Sequence, residues 1–159
     1  MQASHLTQQT ASLSRAIAER AIVLERGAVP GDVWEYLKLC LVDAVGIAFA
    51  SRNYEFARKS LDSLGLLGSA GQSSIIGQAA PAALRDAAMI NGLLIHGLDY
   101  DDTHLASVVH CSASAFPAAL ALTEQKGLSG ADLMLATLVA IEVDAMLGTQ
   151  AGGVFQQVG

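Results

Sequence analysis

Apolar residues recur every three to four positions along most of the chain, and this spacing restricts its fold more than any other feature. The spacing is typical of helices that bury one side, whereas the alternation expected for strands is nearly absent. The first such segment runs from Leu6 to Arg26 and is ended by Gly27. With 159 residues, the size of one domain, the chain is expected to be all-α: about six helices in a single helical domain over residues 1–159.

Local signals predict the remaining helix boundaries. Asp32, with Glu35 three residues later, predicts a capping box at the start of the second helix, which is apolar nearly all round and is therefore expected to be central. Pro81 and Pro117 are each predicted to lie in the first turn of a helix, where proline is tolerated. The helices after the first are predicted at residues 32–48, 54–67, 81–95, 114–126 and 129–148.

Two smaller features accompany these helices. Gly92 interrupts the helix predicted at 81–95, where glycine costs about 1 kcal/mol relative to alanine, so a close helix contact is expected there. The segment from Ser74 to Gly77 is expected to be at most a short extended piece between a loop and that helix.

The composition predicts an unusual surface and no membrane span. Apolar residues make up 52% of the chain and charged residues only 15%, which predicts either little exposed surface or a large apolar face that awaits a partner. A spanning helix needs about 20 apolar residues with few charges, and Asp43, Glu124 and Lys126 interrupt the candidate runs. The amino terminus lacks the pattern of a secretory signal, so a cytoplasmic location is expected.

The distribution of charge and cysteine narrows the possible partners. After Arg85 the only basic residue is Lys126, against eight acidic ones, so nucleic acid is not an expected partner. An anionic substrate bound in this half would need positive charge from elsewhere. Cys40 and Cys111 lie far apart in the sequence, which gives no support for a disulfide framework or a cysteine-based zinc site.

Residues 96–110 hold three of the four histidines and three carboxylates, and the residues alone leave several interpretations open. A metal could meet Asp99, Asp102 and His104, but their spacing matches neither His-Glu-x-x-His nor an EF-hand loop. Alternatively, the segment has no functional site: Asp101, Asp102 and Thr103 are then solvated turn residues, and His96 is a core histidine whose hydrogen bonds are satisfied.

Two catalytic interpretations of the same segment also stay open. Cys111 beside His110 is weak as a nucleophile and base, because adjacent residues rarely point at one another. Proton transfer fits the composition better, since crowded carboxylates and imidazoles can hold an acid and a base near neutrality. The residues do not show which group would be the acid and which the base.

The motifs in this half of the chain resemble those of the MmgE/PrpD family, which includes 2-methylcitrate dehydratase, cis-aconitate decarboxylase and iminodisuccinate epimerase. The resemblance covers most of the chain and is strongest between Asp99 and His110. It rests on these runs: Asn91-Gly-x-x-x-His96-x-Leu-Asp99-x-Asp101-Asp102-Thr103, Val109-His110-x-Ser112, Phe116-Pro-Ala-Ala-Leu-Ala, Ser129-Gly-x-Asp132-Leu and Ile141-Glu142-Val, with Asp43-Ala-Val-Gly-Ile-Ala and Ser74-Ile-Ile-Gly77 upstream.

The resemblance implies a lyase that moves a proton at a carbon next to a carboxylate of a small di- or tricarboxylate, as in the dehydration of 2-methylcitrate. It implies that Asp99, Thr103 and His110 line the active site, with His110 transferring the proton. Asp102 and His104 are expected beside them, binding substrate or orienting His110. No cofactor, iron–sulfur cluster or metal is implied, and the expected assembly is a homodimer.

The chain departs from the family in length. Family members are several times longer, with a smaller α+β lid domain and further active-site residues that have no counterpart here. We therefore expect the N-terminal part of the helical domain, truncated, without the lid, and of doubtful activity alone. A non-catalytic helical fragment or subunit that pairs with a separately encoded remainder is one alternative, and a decarboxylase or epimerase of the same family is another. Association through exposed apolar surface is expected in each case.

Overall fold

The computed structural model describes residues 15–19, 21–24, 28–152 and 154, and within them the fold is all-α, as predicted. Residues 15–19 and 21–23 are helical, whereas most of the first predicted helix, with Gly27, lies outside the described residues. Over the described ranges there is no strand, only two isolated bridges that pair Ser73 with Ala82 and His104 with Val109. The remaining helices are α1 (Gly31–Ser51), α2 (Glu55–Leu67), α3 (Leu84–His96), α4 (Cys111–Lys126) and α5 (Gly130–Ala151).

The central helix is α4, which packs against α3 and α5 and also contacts α1. Its alanines and other small side chains let neighbours approach from several directions, and Phe116 fills the core between them. The prediction that the second helix is central is wrong for the described structure. That helix, α1, buries one side and leaves large apolar residues exposed on the other: Tyr36, Leu39, Val42 and Phe49.

The capping box predicted at the start of α1 is wrong, whereas a complete capping box is found at the start of α5. Pro30 is the N-cap of α1, so Asp32 already lies inside the first turn, and Glu35 pairs with Lys38 at 2.6 Å instead of reaching back. At α5 the capping box is complete, because the Ser129 hydroxyl accepts a bond from the Asp132 backbone N–H while the Asp132 carboxylate accepts one from the Ser129 N–H.

Both proline predictions are wrong. Pro81 lies before α3 because the next residue, Ala82, is held extended by two backbone hydrogen bonds to Ser73, of 2.9 and 3.0 Å. Pro117 lies inside α4, which begins three residues earlier than predicted, at Cys111. A proline at this point cannot donate to the Ala113 carbonyl four residues earlier, so that oxygen lacks its usual helical partner.

Close contacts between elements fix the region around residues 97–110. A Cβ atom on Gly92 would lie 2.9 Å from the Ala113 carbonyl oxygen, so α3 and α4 approach as closely as the glycine predicts. A Cβ on Gly148 of α5 would lie 2.5 Å from the Ser107 Cβ, so the connection between α3 and α4 rests directly on α5. None of the helices among the described residues is long and apolar enough to cross a membrane.

Candidate functional site

The candidate site lies where α3 ends and α4 begins. His96 is the last residue of α3 and His110 is the N-cap of α4, so two helix ends deliver the two imidazoles. The rings meet edge to face, with their centroids 4.8 Å apart. The thirteen residues between them must therefore reverse the direction of the chain.

A compact turn over residues 104–109 returns the chain to α4. The carbonyl of His104 accepts bonds from the backbone N–H groups of Ser107 and Val108, at 3.1 and 2.8 Å, and the His104 N–H donates to Val109 at 2.9 Å. The His104 side chain contributes as well, since its Nδ1 lies 2.7 Å from the Ser107 hydroxyl. This turn places His110 opposite His96.

Asp101 is the carboxylate on which both histidines converge. Its side chain is only 1% exposed, and its Oδ1 lies 3.1 Å from Nδ1 of His96 and 3.2 Å from Nδ1 of His110. The second oxygen, Oδ2, is buried with no hydrogen-bond partner among the described residues. Asp101 is therefore the buried carboxyl group of the site, and the interpretation of it as a solvated turn residue is wrong.

Asp99 and Thr103 also contact His110. Asp99 Oδ1 lies 3.5 Å from Nε2 of His110, and the Asp99 side chain is 81% exposed. The Thr103 hydroxyl lies 3.5 Å from Nδ1 of His110. Asp99 also has a positive φ of 54°, a conformation that aspartate tolerates better than most residues. Asp99, Asp101 and Thr103 therefore lie around one imidazole.

Asp102 and His104 lie beside this site in other hydrogen bonds. The Asp102 carboxylate accepts the backbone N–H of Ser112 in the first turn of α4, at 3.2 Å, where an acidic group favours the helix dipole. His104 bonds to Ser107 within its own turn. Among the described residues, the polar partners of the His110 ring are Asp99, Asp101 and Thr103.

An open pocket of about 510 Å³ adjoins the two imidazoles. His96 and His110 line it together with residues of both helices: Gly92, Leu93, Gly97, Ala113 and Ser114. A volume of this size is within the range of small-molecule sites. Gly97 keeps this part of the chain tight, because a Cβ there would lie 2.2 Å from the Phe56 ring.

Four residues of the site could each bring one ligand atom to a metal ion: His96, Asp99, Asp101 and His110, whose atoms lie within 4.8 Å of one another. This group differs from the set considered in the sequence, because Asp102 and His104 do not belong to it. The contacts of His110 argue against one shared ion. Asp101 approaches its Nδ1 and Asp99 its Nε2, which are opposite sides of the ring.

Cys111 is a poor nucleophile in this setting. Its side chain is buried, and burial, reinforced by the negative charges of Asp102 and then Asp144, raises the pKa of the thiol to about 11. Burial, with Asp102 again adding to it, also raises the pKa of Cys40. Since the thiolate is the reacting form, both cysteines are protonated at neutral pH.

The comparisons with known proteins agree with these motifs. The family profile described as the MmgE/PrpD N-terminal domain matches residues 15–157, and the chain belongs to this family. A cis-aconitate decarboxylase-like protein of Aspergillus oryzae is 26% identical over 91% of this chain and 30% of its own length. A cis-aconitate decarboxylase of Aspergillus terreus is 28% identical over 76% of this chain and 26% of its own. The chain thus spans less than a third of the length of the curated relatives it matches.

Sequence reasoning missed Asp101 and the second imidazole, His96. No pattern in the sequence separates Asp101 from its neighbours Asp99 and Asp102, because which of the three is buried depends on where the turn returns His110. The sequence allows His96 to be interpreted as a satisfied core histidine, because it lies at the end of an apolar helical run. Its position at the last residue of that run was the available signal, since a helix end can turn its side chain toward a connecting segment.

Proposed function

We propose that this chain forms the N-terminal helical part of a lyase that acts on a small di- or tricarboxylate, with His110 transferring a proton at a carbon next to a carboxylate. One observation carries the proposal: the His110 ring, held among Asp99, Asp101 and Thr103, lines an open pocket of about 510 Å³. Histidine suits this role because its charge changes near neutral pH.

Cis-aconitate is the first substrate to test, because the relatives from both Aspergillus species bear its decarboxylation in their names. Dehydration of 2-methylcitrate and epimerisation of a related dicarboxylate are the alternatives within the family. All three reactions require proton movement beside a carboxylate, so the same imidazole would serve each of them.

Asp99 and Thr103 are proposed to position the substrate. The Thr103 hydroxyl can donate to a substrate carboxylate, whereas the exposed Asp99 carboxylate can accept from a substrate hydroxyl or acid group. Asp102 and His104 are proposed to support the site indirectly, by holding the start of α4 and the 104–109 turn. Other cationic groups must complete the site, because the described residues that line the pocket include no lysine or arginine, and only the two imidazoles among them can carry positive charge.

Assembly is part of the proposal. The exposed apolar residues of α1, Tyr36, Leu39, Val42 and Phe49, favour association, either as a homodimer or with a remainder of the family-length polypeptide encoded separately. The second case describes a non-catalytic helical segment that becomes active only in the complex. Light scattering after size-exclusion chromatography tests the homodimer: we expect twice the chain mass, and a stable monomer would reject it. The cytoplasmic location stays a prediction, which fractionation of the source cells would test.

Binding and turnover of cis-aconitate test the proposed function. In the wild-type chain, the ligand should shift the imidazole NMR signals of His96 and His110 in a saturable way, with release of carbon dioxide as the turnover assay. Replacement of the base in His110→Gln should abolish turnover. Asp62→Asn, an exposed change on α2, is the matched control and should preserve both. If neither imidazole signal shifts at millimolar cis-aconitate or 2-methylcitrate, the result contradicts the proposal.

A further inference from the structure

We propose that Asp101 is a positioning residue for His110 and His96. Its buried carboxylate accepts a hydrogen bond from Nδ1–H of His96 and lies close to Nδ1 of His110. There it favours hydrogen on Nδ1, which leaves Nε2 of His110 as the atom that exchanges a proton with the ligand. This inference rests on the proposed function for the identity of that ligand. The hydrogen-bond arrangement itself can be measured without any ligand.

The distances assign the donors. The Oδ1 atom of Asp101 lies 3.1 Å from Nδ1 of His96 in a hydrogen bond. It lies 3.2 Å from Nδ1 of His110, an ion-pair distance without the alignment of a hydrogen bond. An ionised carboxylate only accepts, so Nδ1 of His96 must carry the hydrogen of its bond. At His110 the nearby negative oxygen favours hydrogen on Nδ1 over a lone pair at that atom. In a neutral ring with hydrogen on Nδ1, the lone pair is on Nε2, which is then the basic atom.

The burial of Asp101 protects its contacts with the two imidazoles from water. The Asp101 side chain is 1% exposed, whereas those of His96 and His110 are 53% and 28% exposed. Bulk water therefore competes poorly for Oδ1 while the outer parts of both rings stay accessible from the pocket. Because Oδ2 has no partner among the described residues, the two imidazoles supply the compensation that a buried carboxylate requires.

The other polar neighbours of His110 are weaker candidates for orienting it. The Thr103 hydroxyl makes a hydrogen bond of 3.5 Å with the same Nδ1 atom, longer than the usual range, and as a hydroxyl it can accept hydrogen from Nδ1 as well as donate to it. Asp99 lies 3.5 Å from Nε2 and is 81% exposed, so water screens and competes with this contact. Asp99 therefore lies on the reactive side of the ring, and Asp101 holds the opposite side.

A divalent cation bound by Asp101, His96 and His110 is the competing explanation of the same cluster, since two histidines and one carboxylate can form a metal site. The two explanations make opposite demands on Nδ1. A metal at Nδ1 would require both nitrogens to lack hydrogen, whereas the proposal requires both to carry it.

Nitrogen-15 NMR of the histidine side chains tests the proposal directly. Signals are assigned with His96→Gln and His110→Gln, and spectra are recorded at about pH 8, above the usual imidazole pKa of about 6.5. We expect hydrogen on Nδ1 of both rings in the wild type and in the control Asp62→Asn. In Asp101→Asn, with helix content checked by circular dichroism, we expect loss of this preference, because the amide can also donate to Nδ1.

The outcomes separate this inference from the proposed function. Hydrogen on Nε2 of His110 in the wild type would overturn the inference, even if cis-aconitate is bound and converted. Stoichiometric binding of added Zn²⁺ that disappears in Asp101→Asn would also overturn it, in favour of the metal. Where turnover is measurable, Asp101→Asn should lower kcat by about 10²-fold or more with little change in KM, whereas an equal loss in Asp62→Asn would contradict a positioning role.

Discussion

Gly92 of α3 lies directly against the carbonyl oxygen of Ala113 in α4, and a Cβ atom at Gly92 would lie 2.9 Å from that oxygen. The oxygen is the one that Pro117, four residues later, cannot bond. A glycine and a proline, each unfavourable inside a helix by itself, therefore meet at one contact between the two helices that carry the candidate site. Both helix ends, with His96 and His110, depend on this approach.

We expect Gly92→Ala to lower the free energy of unfolding by about 1 kcal/mol, because the overlap with a backbone oxygen outweighs the gain in helix propensity. Gly46→Ala in α1 is the matched control. A Cβ there meets nothing within 4 Å, so the same substitution should raise the free energy by up to about 1 kcal/mol. Urea unfolding measures both, and stabilisation by Gly92→Ala would show that the helices do not approach so closely.

The capping box at α5 gives a second stability prediction. Ser129→Ala removes the hydroxyl that accepts the Asp132 N–H, so the free energy of unfolding should fall by about 1 kcal/mol. Asp32→Ala in the first turn of α1, where the box predicted from sequence does not form, should cost clearly less. Equal losses for the two variants in urea unfolding would contradict this assignment of the caps.

The contrast between these two helix starts shows how far the sequence predicts the fold. The number of helices and their approximate extents follow from apolar periodicity, which is a local property of the chain. The start of α1 cannot be predicted in this way. Ser129 and Asp32 look equally suitable as N-caps in the sequence, but Pro30 takes the N-cap position of α1, so Asp32 lies inside the helix. Pro117 shows the same limit: the carbonyl that it leaves without its helical partner faces Gly92 of α3, a relationship between residues 25 positions apart.

The candidate site, too, can be predicted from the sequence only in part. The sequence predicts that Asp99, Thr103 and His110 lie together, and the turn at 104–109 does bring them into contact. It does not predict which aspartate is buried, because Asp101 is enclosed only after the chain has returned to α4. Tertiary enclosure, which no local pattern encodes, therefore determines the carboxylate that orients the imidazoles.

Acid should destabilise the protein in part through Asp86. Its carboxylate accepts the backbone N–H of Ser69 and pairs with Arg85, which together hold the pKa of Asp86 below its ordinary value. A lowered pKa means that this stabilisation is complete above the unfolded value of about 3.9 and is lost as the pH falls through the folded value. Asp86→Asn should therefore flatten the loss of stability below about pH 4, measured by urea unfolding against pH. An unchanged pH profile would contradict the role assigned to Asp86.

The Cys111 thiol should resist alkylation in the folded protein. Burial and the nearby carboxylates of Asp102 and Asp144 raise its pKa to about 11, so at pH 8 almost none of it is thiolate. Mass spectrometry after iodoacetamide treatment should find Cys111 unmodified under native conditions and alkylated in urea. Half-buried Cys40 is the internal comparison and should react first. Faster labelling of Cys111 than of Cys40 would restore the thiol as a candidate nucleophile.

Val108 provides the last prediction, because it has a positive φ of 52° two residues before His110. A β-branched residue is strained in this left-handed region, at a cost of about 1–2 kcal/mol, and asparagine tolerates it better. Since the Val108 side chain is about half exposed, Val108→Asn should raise the free energy of unfolding by about 1 kcal/mol. Leu105→Asn, an exposed position of the same turn where φ is not positive, should change it little. Destabilisation by Val108→Asn would show that the apolar contacts of the Val108 side chain stabilise the turn by more than its backbone strain costs.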